Sequence, residues 1–240
     1  MSHLSINITD KSYSQQPLKQ VIKNLQLDLY NHEFVCLVGK SGCGKTTLLN
    51  ILAGLDDDYT GHISLDNTHN PKIGYVFQNP NLLPWRTVTE NIQLAAKPDA
   101  KTLAFLLANM GLSAEKDSYP EHLSLGMQRR VSIIRAFANQ PDLLLMDEPF
   151  VSLDSPTARQ VRQLLIDLWQ QRPHKVLFVT HDLREAITLA DRLIFLDSQP
   201  MAILADVKVS LAREQRQQDS QIDSFKQRLF IDYPQIKHLL

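Results

Sequence analysis

The segment GKSGCGKT, residues 39–46, follows the pattern G-x-x-x-x-G-K-[ST]. It brings three glycines, two lysines and a threonine into one short turn. An apolar run, EFVCLVG, leads into it, and KTTLLNILAG, with helical spacing and a closing glycine, leads out. Successive N–H groups of such a loop face inward as an anion-binding nest, and the helix start behind them adds its positive dipole end. A charge-assisted hydrogen bond is worth about 1.5–3 kcal/mol, so several can hold a polyphosphate. Gly39, Ser41, Gly42, Cys43, Gly44 and Thr47 are the candidate cradle. Lys45 would reach the outer phosphates, and the Thr46 hydroxyl would bind Mg2+. A turn with incidental glycines is the bland alternative. Cys43 lies at a helix start, which lowers a thiol's pKa, so an alkylating agent is expected to modify it and block nucleotide binding.

A second group of reactive side chains stands at strand ends. LLLMDEPF puts Asp147 and Glu148 after a buried apolar run, where adjacent acids are costly unless they face a cation. Asp147 would hold Mg2+ through its water, and Glu148 would polarise the attacking water as general base. Pro149 leaves open a simpler reading in which the acids cap the next turn. His181 ends VLFVT, and Gln78 ends YVF. Neither says much alone, but open α/β sheets place ligands at the C-terminal ends of their strands.

The elements that must position these groups follow from the hydrophobic pattern. LSINI (4–8) and LQLDLY (25–30) alternate like half-buried strands, and HISLD and KIGYVFQ continue the β pattern. From Asn79 to about Ala138 the period becomes helical, through LPWRTVTENIQLAA, KTLAFLLANMG and LGMQRRVSIIRAFA. Strands return at DLLLMDE, HKVLFVTH and RLIFLD, with SPTARQVRQLLIDLWQQ and DLREAITLA as helices between them. This alternation predicts a mostly parallel α/β sheet covered on both faces, with 79–138 as a helical insertion. After Leu211 the chain turns polar (REQRQQDSQ), with Ile222, Phe225, Leu229 and Phe230 roughly on one helical face. That helix is either a docked tail or a partner-binding element.

Composition narrows the classes. The 240 residues carry a net charge of −1 without a basic block, which argues against direct nucleic-acid binding. No secretory leader pattern is visible at the start, and no apolar run approaches a membrane span. Two cysteines, Cys36 and Cys43, match no zinc spacing.

In order along nearly the whole chain, these residues resemble the ATP-binding cassette superfamily. The matching elements are the Walker A loop Gly39–Thr46, a Q-loop at Gln78, a signature at Leu123–Met127, and Walker B ending Asp147–Glu148. A D-loop at Ser152–Asp154 and an H-loop at His181 complete the set. SGCGKTTLL, VFQNPNLLPWRTVTENI and VTHDLREAITLADRLIFL resemble more narrowly the ATPases of the nitrate, sulfonate, taurine and thiamine-precursor importers, whose signature often reads LSGGM.

The resemblance implies a P-loop NTPase (RecA-like) core with an N-terminal antiparallel β-subdomain and an inserted α-helical subdomain. The nucleotide-binding domain would span 1–212, with a helical tail at 213–240. It implies ATP and Mg2+ as ligands, Tyr13 stacking on adenine, Gln78 binding Mg2+ or the water, and His181 contacting the γ-phosphate. Two cassettes would pack head to tail, Ser124, Gly126 and Asp154 of one completing the nucleotide site of the other.

An integral membrane permease would dock near the Q-loop, where Leu82, Leu83, Pro84 and Trp85 either line the groove or pack the helical insertion. A solute-binding protein would act upstream. The chain would sit in the cytoplasm, peripheral on the inner face of the membrane.

The departure from the pattern is Leu125, where the family has a glycine. A right-handed backbone there costs little, whereas an isobutyl group crowding nucleotide or partner costs about 1–3 kcal/mol. A weakened dimer or slower turnover is the expectation, which keeps a regulatory or asymmetric cassette as an alternative. A soluble cassette of translation or DNA repair usually carries two cassettes or a long coiled coil, and a P-loop GTPase carries N-K-x-D. Neither feature is present in the sequence.

Overall fold

The computed structural model describes residues 3–14, 19–65, 71–198 and 200–239. In chain order the elements are β1 (Leu4–Tyr13), β2 (Lys19–Leu29), β3 (Phe34–Gly39), α1 (Lys45–Leu52), β4 (Thr60–Leu65) and β5 (Ile73–Val76). Then come α2 (Val88–Ala95), α3 (Ala100–Asn109), α4 (Leu125–Ala138), β6 (Leu143–Asp147) and α5 (Ser155–Gln171). The chain closes with β7 (Lys175–Thr180), α6 (Leu183–Leu189), β8 (Arg192–Asp197), β9 (Ala202–Lys208) and α7 (Asp219–Asp232). They form two compact units, one of residues 1–69 with 175–240 and the other of 70–174.

The discontinuous unit holds two sheet regions. One is antiparallel, in the order β2-β1-β4, with Leu4 opposite both Leu29 and Leu65. The other is built on β3, which runs parallel to β7 on one side and to β8 on the other. Every residue of β3 and β7 is buried, as expected for parallel strands covered on both faces, and this is why FVCLVG and KVLFVT are unbroken apolar runs. The β9 strand adds antiparallel to β8, an element the hydrophobic pattern does not single out because only two of its seven residues are buried.

The α1 helix ends at Gly54, whose φ of 68° lets the Leu55 N–H return to the Asn50 carbonyl at 2.9 Å. The α7 helix buries Ile222, Phe225 and Leu229, while Phe230 is half-covered. Arg184 of α6 reaches Asp219 at 2.9 Å and Asp223 at 2.6 Å, so the tail is docked.

In the contiguous unit, β5 and β6 pair in parallel, Val76 opposite Met146. The α2 and α4 helices pack on each other, and α4 packs on β5. Thr87 starts α2 with a capping box, its side chain accepting from the Glu90 N–H while Glu90 accepts from the Thr87 N–H. The helix therefore begins five residues later than the apolar pattern of LPWRTV suggests, and Trp85 stays outside it, 68% exposed. Trp85 does not pack the interior. Among the described residues no helix is long and apolar enough to cross a membrane.

Candidate nucleotide site

The loop between β3 and α1 is shaped by its own backbone. Gly44, the residue before α1, has φ 102°, and a Cβ there would lie 2.5 Å from Val21 Cγ1, so both conformation and space call for glycine. The Cys43 N–H closes the turn on the Lys40 carbonyl at 3.2 Å. Lys45 is 7% exposed, and its ammonium donates to the carbonyls of Gly39 at 2.7 Å and Lys40 at 2.9 Å. The cation is thus held over the loop.

One expectation is reversed here. Cys43 is 2% exposed, its sulfur 3.7 Å from Lys45 Nζ, so the thiol packs inward and does not present itself to an alkylating agent. Cys36 is a core residue whose thiol is pushed well up, chiefly by burial.

His181 enters from the neighbouring strand. Because Val38 pairs with Thr180 in parallel register, the chain ends of β3 and β7 lie side by side, and Gly39 and His181 follow directly. The turn carrying His181 is braced on both sides. Thr180 donates its hydroxyl to Glu185 at 2.8 Å and accepts the Asp182 N–H at 3.0 Å, while Asp182 caps α6. Tyr13 closes β1, beyond the end read from alternation, and its hydroxyl lies 3.4 Å from Thr47 Oγ1 in the first turn of α1. The structure brings Walker A, His181 and Tyr13 together within the discontinuous unit.

The contiguous unit gathers the other acids and amides. With Val76 opposite Met146, Gln78 and the pair Asp147–Glu148 extend from adjacent strand ends. Asp147 is 2% exposed. At Glu148 the backbone enters the left-handed region, φ 46°, and does so again at Ser152, φ 72°. Non-glycine residues held there cost on the order of 1–3 kcal/mol each, a strain that clusters at functional loops.

Arg129 of α4 ties this group together. It is 2% exposed and donates to the Phe77 carbonyl at 2.6 Å and also to the Gln78 carbonyl. Burial pulls its guanidinium below the ordinary value, while the charges of Asp147 and Glu148 pull it up. The motifs do not single out Arg129, since its only visible property in the sequence is a charge on a helix.

At the start of α4, Ser124 caps the helix by accepting the Met127 N–H at 3.2 Å. Leu125 occupies the first helical position, outside the left-handed region, and is 51% exposed. Its backbone is unstrained and its side chain points outward. Gly126 has room: a Cβ would meet Leu153 Cδ2 and the Ser152 carbonyl at 3.5 Å, ordinary contact. Asp154 caps α5, and the Thr157 N–H at 3.0 Å holds its carboxyl below the usual range.

A phosphate loop after a parallel strand, with His181 beside it, and a carboxylate pair after another parallel strand define a nucleotide-hydrolysing cassette. The pattern of the family described as ABC transporter matches residues 22–151. The aliphatic sulfonates import ATP-binding protein SsuB 2 of Burkholderia lata is 36% identical over 98% of this chain and 87% of its own. SsuB 1 of Streptomyces avermitilis is 41% identical over 82% of this chain and 75% of its own. Among solved structures, the dimeric cassette MJ0796 in a post-hydrolysis state bound to ADP and Pi aligns with a TM-score of 0.78. It is 31% identical and covers 87% of this chain and 100% of that one.

The chain belongs to the ABC transporter family. It is an ATP-binding ATPase of that family, with the P-loop NTPase fold.

Proposed function

We propose that this chain powers an importer of a small solute of the sulfonate, taurine, nitrate or thiamine-precursor kind. It works as a head-to-tail pair docked on a membrane permease, at the cytoplasmic face of the membrane. The observation that carries the reading is the presentation of the signature. Ser124, Leu125 and Gly126 form the open first turn of α4, with Leu125 51% exposed, a surface suited to a second copy. The names of the sulfonate-import relatives support the solute class. The proposed cassette spans 1–212, with 213–240 as its appended tail.

In this reading Walker A and Lys45 bind the phosphates, and Tyr13 takes the adenine. The donors assigned to Mg2+, Thr46 hydroxyl, Gln78 amide and Asp147 carboxylate, are hard oxygens of the kind that ion uses beside substrate phosphates. The ion would neutralise charge on the phosphates. Glu148 accepts a proton from the attacking water, His181 orients the γ-phosphate, and the partner's signature helix start supplies N–H groups to it. Nucleotide that touches both chains only when they are closed shifts the population toward the closed pair, and hydrolysis releases it.

Two features support docking near Gln78: the exposed Trp85, and a cavity of about 280 Å3 lined by Tyr75, Phe77, Asn81, Ala95 and Arg135. Exposed Leu125 also favours a second reading, a cassette of reduced turnover paired with a more active one.

The test is the mass of the Glu148→Gln protein under Mg2+ and ATP, alone and with its permease. Light scattering should show two cassettes associating. A single-cassette mass in both preparations overturns the proposal.

A further inference from the structure

Lys11 is a charged side chain sealed inside the discontinuous unit, 1% exposed. Lysines ordinarily extend to water, and a buried ammonium is costly unless it is well paired. Here it is paired. Its Nζ donates to Asp56 Oδ1 at 2.8 Å and to the Asp58 carbonyl at 2.6 Å, with Asp58 Oδ2 at 3.4 Å. An apolar residue of similar volume would fill the space without the desolvation cost. What the charge adds lies two residues along the same strand face. Lys11 Nζ sits 4.7 Å from the centre of the Tyr13 ring, and Asp56 Oδ2 accepts from the Tyr13 hydroxyl at 3.4 Å.

The ring is therefore fixed from several directions. The ammonium covers one face by a cation–π contact, Asp56 holds the hydroxyl, and Thr47 shares that hydroxyl from the first turn of α1. With one face occupied, a base can stack only on the other, and Tyr13 keeps 36% of its surface exposed. The register shift between Ile8 and Asp10 in the pairing with β4 marks the irregularity that breaks the alternation of β1 and turns Lys11 inward.

We infer that Lys11 and Asp56 are positioning residues for base recognition. Together they hold the Tyr13 ring, before nucleotide arrives, in the orientation that stacks on the purine. This rests on the proposed role of Tyr13 and adds to it where that role's rigidity comes from. A ring already immobilised loses little freedom on binding, so the gain appears as affinity for the base and not for the phosphates.

The test compares ADP with inorganic pyrophosphate, which share the phosphate contacts and differ by the nucleoside. Their dissociation constants are measured by calorimetry on the full chain and on Tyr13→Ala, Lys11→Met, Lys11→Arg and Asp56→Asn. Tyr13→Ala, Lys11→Met and Asp56→Asn should each weaken ADP by about tenfold while pyrophosphate changes less than about twofold. Lys11→Arg should recover most of the loss. If Tyr13→Ala alone weakens ADP, the inference fails and the role of Tyr13 stands. If Tyr13→Ala changes nothing, the role of Tyr13 falls and the inference with it. Parallel weakening of both ligands would make Lys11 a structural support of the loop, which also overturns the inference. Should Lys11→Met fail to fold, Asp56→Asn and Lys11→Arg decide it by the same criteria.

Discussion

Leu125 is the residue at which this chain leaves its family's pattern, and its position limits how much harm it can do. It takes a right-handed conformation in the first turn of α4, so no backbone strain is stored there. What it adds is a half-exposed isobutyl group beside Ser124 and Gly126. If a partner closes over that turn, crowding costs about 1–3 kcal/mol, and Leu125→Gly should raise steady-state ATPase activity severalfold. An unchanged rate would mean that the side chain turns away from the interface.

Glu148 is the complementary case, a residue that matches the pattern and is held in a strained conformation to do so. Glu148→Gln should keep nucleotide affinity and lose turnover by about a hundredfold or more, read by single-turnover hydrolysis. Cys43, 2% exposed, should label slowly with maleimide whether or not ADP is present.

Elements decide which contacts matter for stability. The α7 tail is attached both by ion pairs and by apolar burial, and the two differ in strength. Arg184 and its partners Asp219 and Asp223 are all more than 40% exposed, so water screens them and Arg184→Ala should change stability by less than about 1 kcal/mol. Phe225 is 7% exposed, and Phe225→Ala should cost about 3–5 kcal/mol in urea unfolding. If the ranking is reversed, the helix is held by charge.

The same distinction governs what the sequence reveals. Apolar runs such as FVCLVG and KVLFVT identify buried parallel strands, and LGMQRRVSIIRAFA spans α4 because its cap and its period agree. Buried cations are harder to read. Lys11 in DKSYS and Arg216 in REQRQQ look like solvated charge, yet both are at most 5% exposed. Arg216 spends its guanidinium on the carbonyls of Leu211 and Ala190. Apart from Leu211, their partners are distant in sequence, so composition and period carry no trace of them. The candidate site divides in the same way. Loop and strand-end residues follow from spacing, whereas Arg129 and Lys11, which hold those residues in place, come only from geometry.

For the molecule as a whole, nucleotide should report on folding. A ligand at a hundred times its dissociation constant stabilises the native state by about 2.7 kcal/mol. ADP should therefore raise the melting midpoint of the chain, and Tyr13→Ala should need more ADP for the same rise. No shift at saturating ADP would argue that the native state does not bind it.

The division into a contiguous and a split unit also sets an order of events during synthesis. Residues 70–174 leave the ribosome as one uninterrupted stretch, in which β5 and β6 can pair once both have appeared. The strand β3 cannot, because both of its sheet neighbours, β7 and β8, are translated long after it. The greasy FVCLVG segment must wait, unpaired, until the far end of the chain arrives. A nascent polypeptide stalled before β7 should be a chaperone client, and one released after α7 should not.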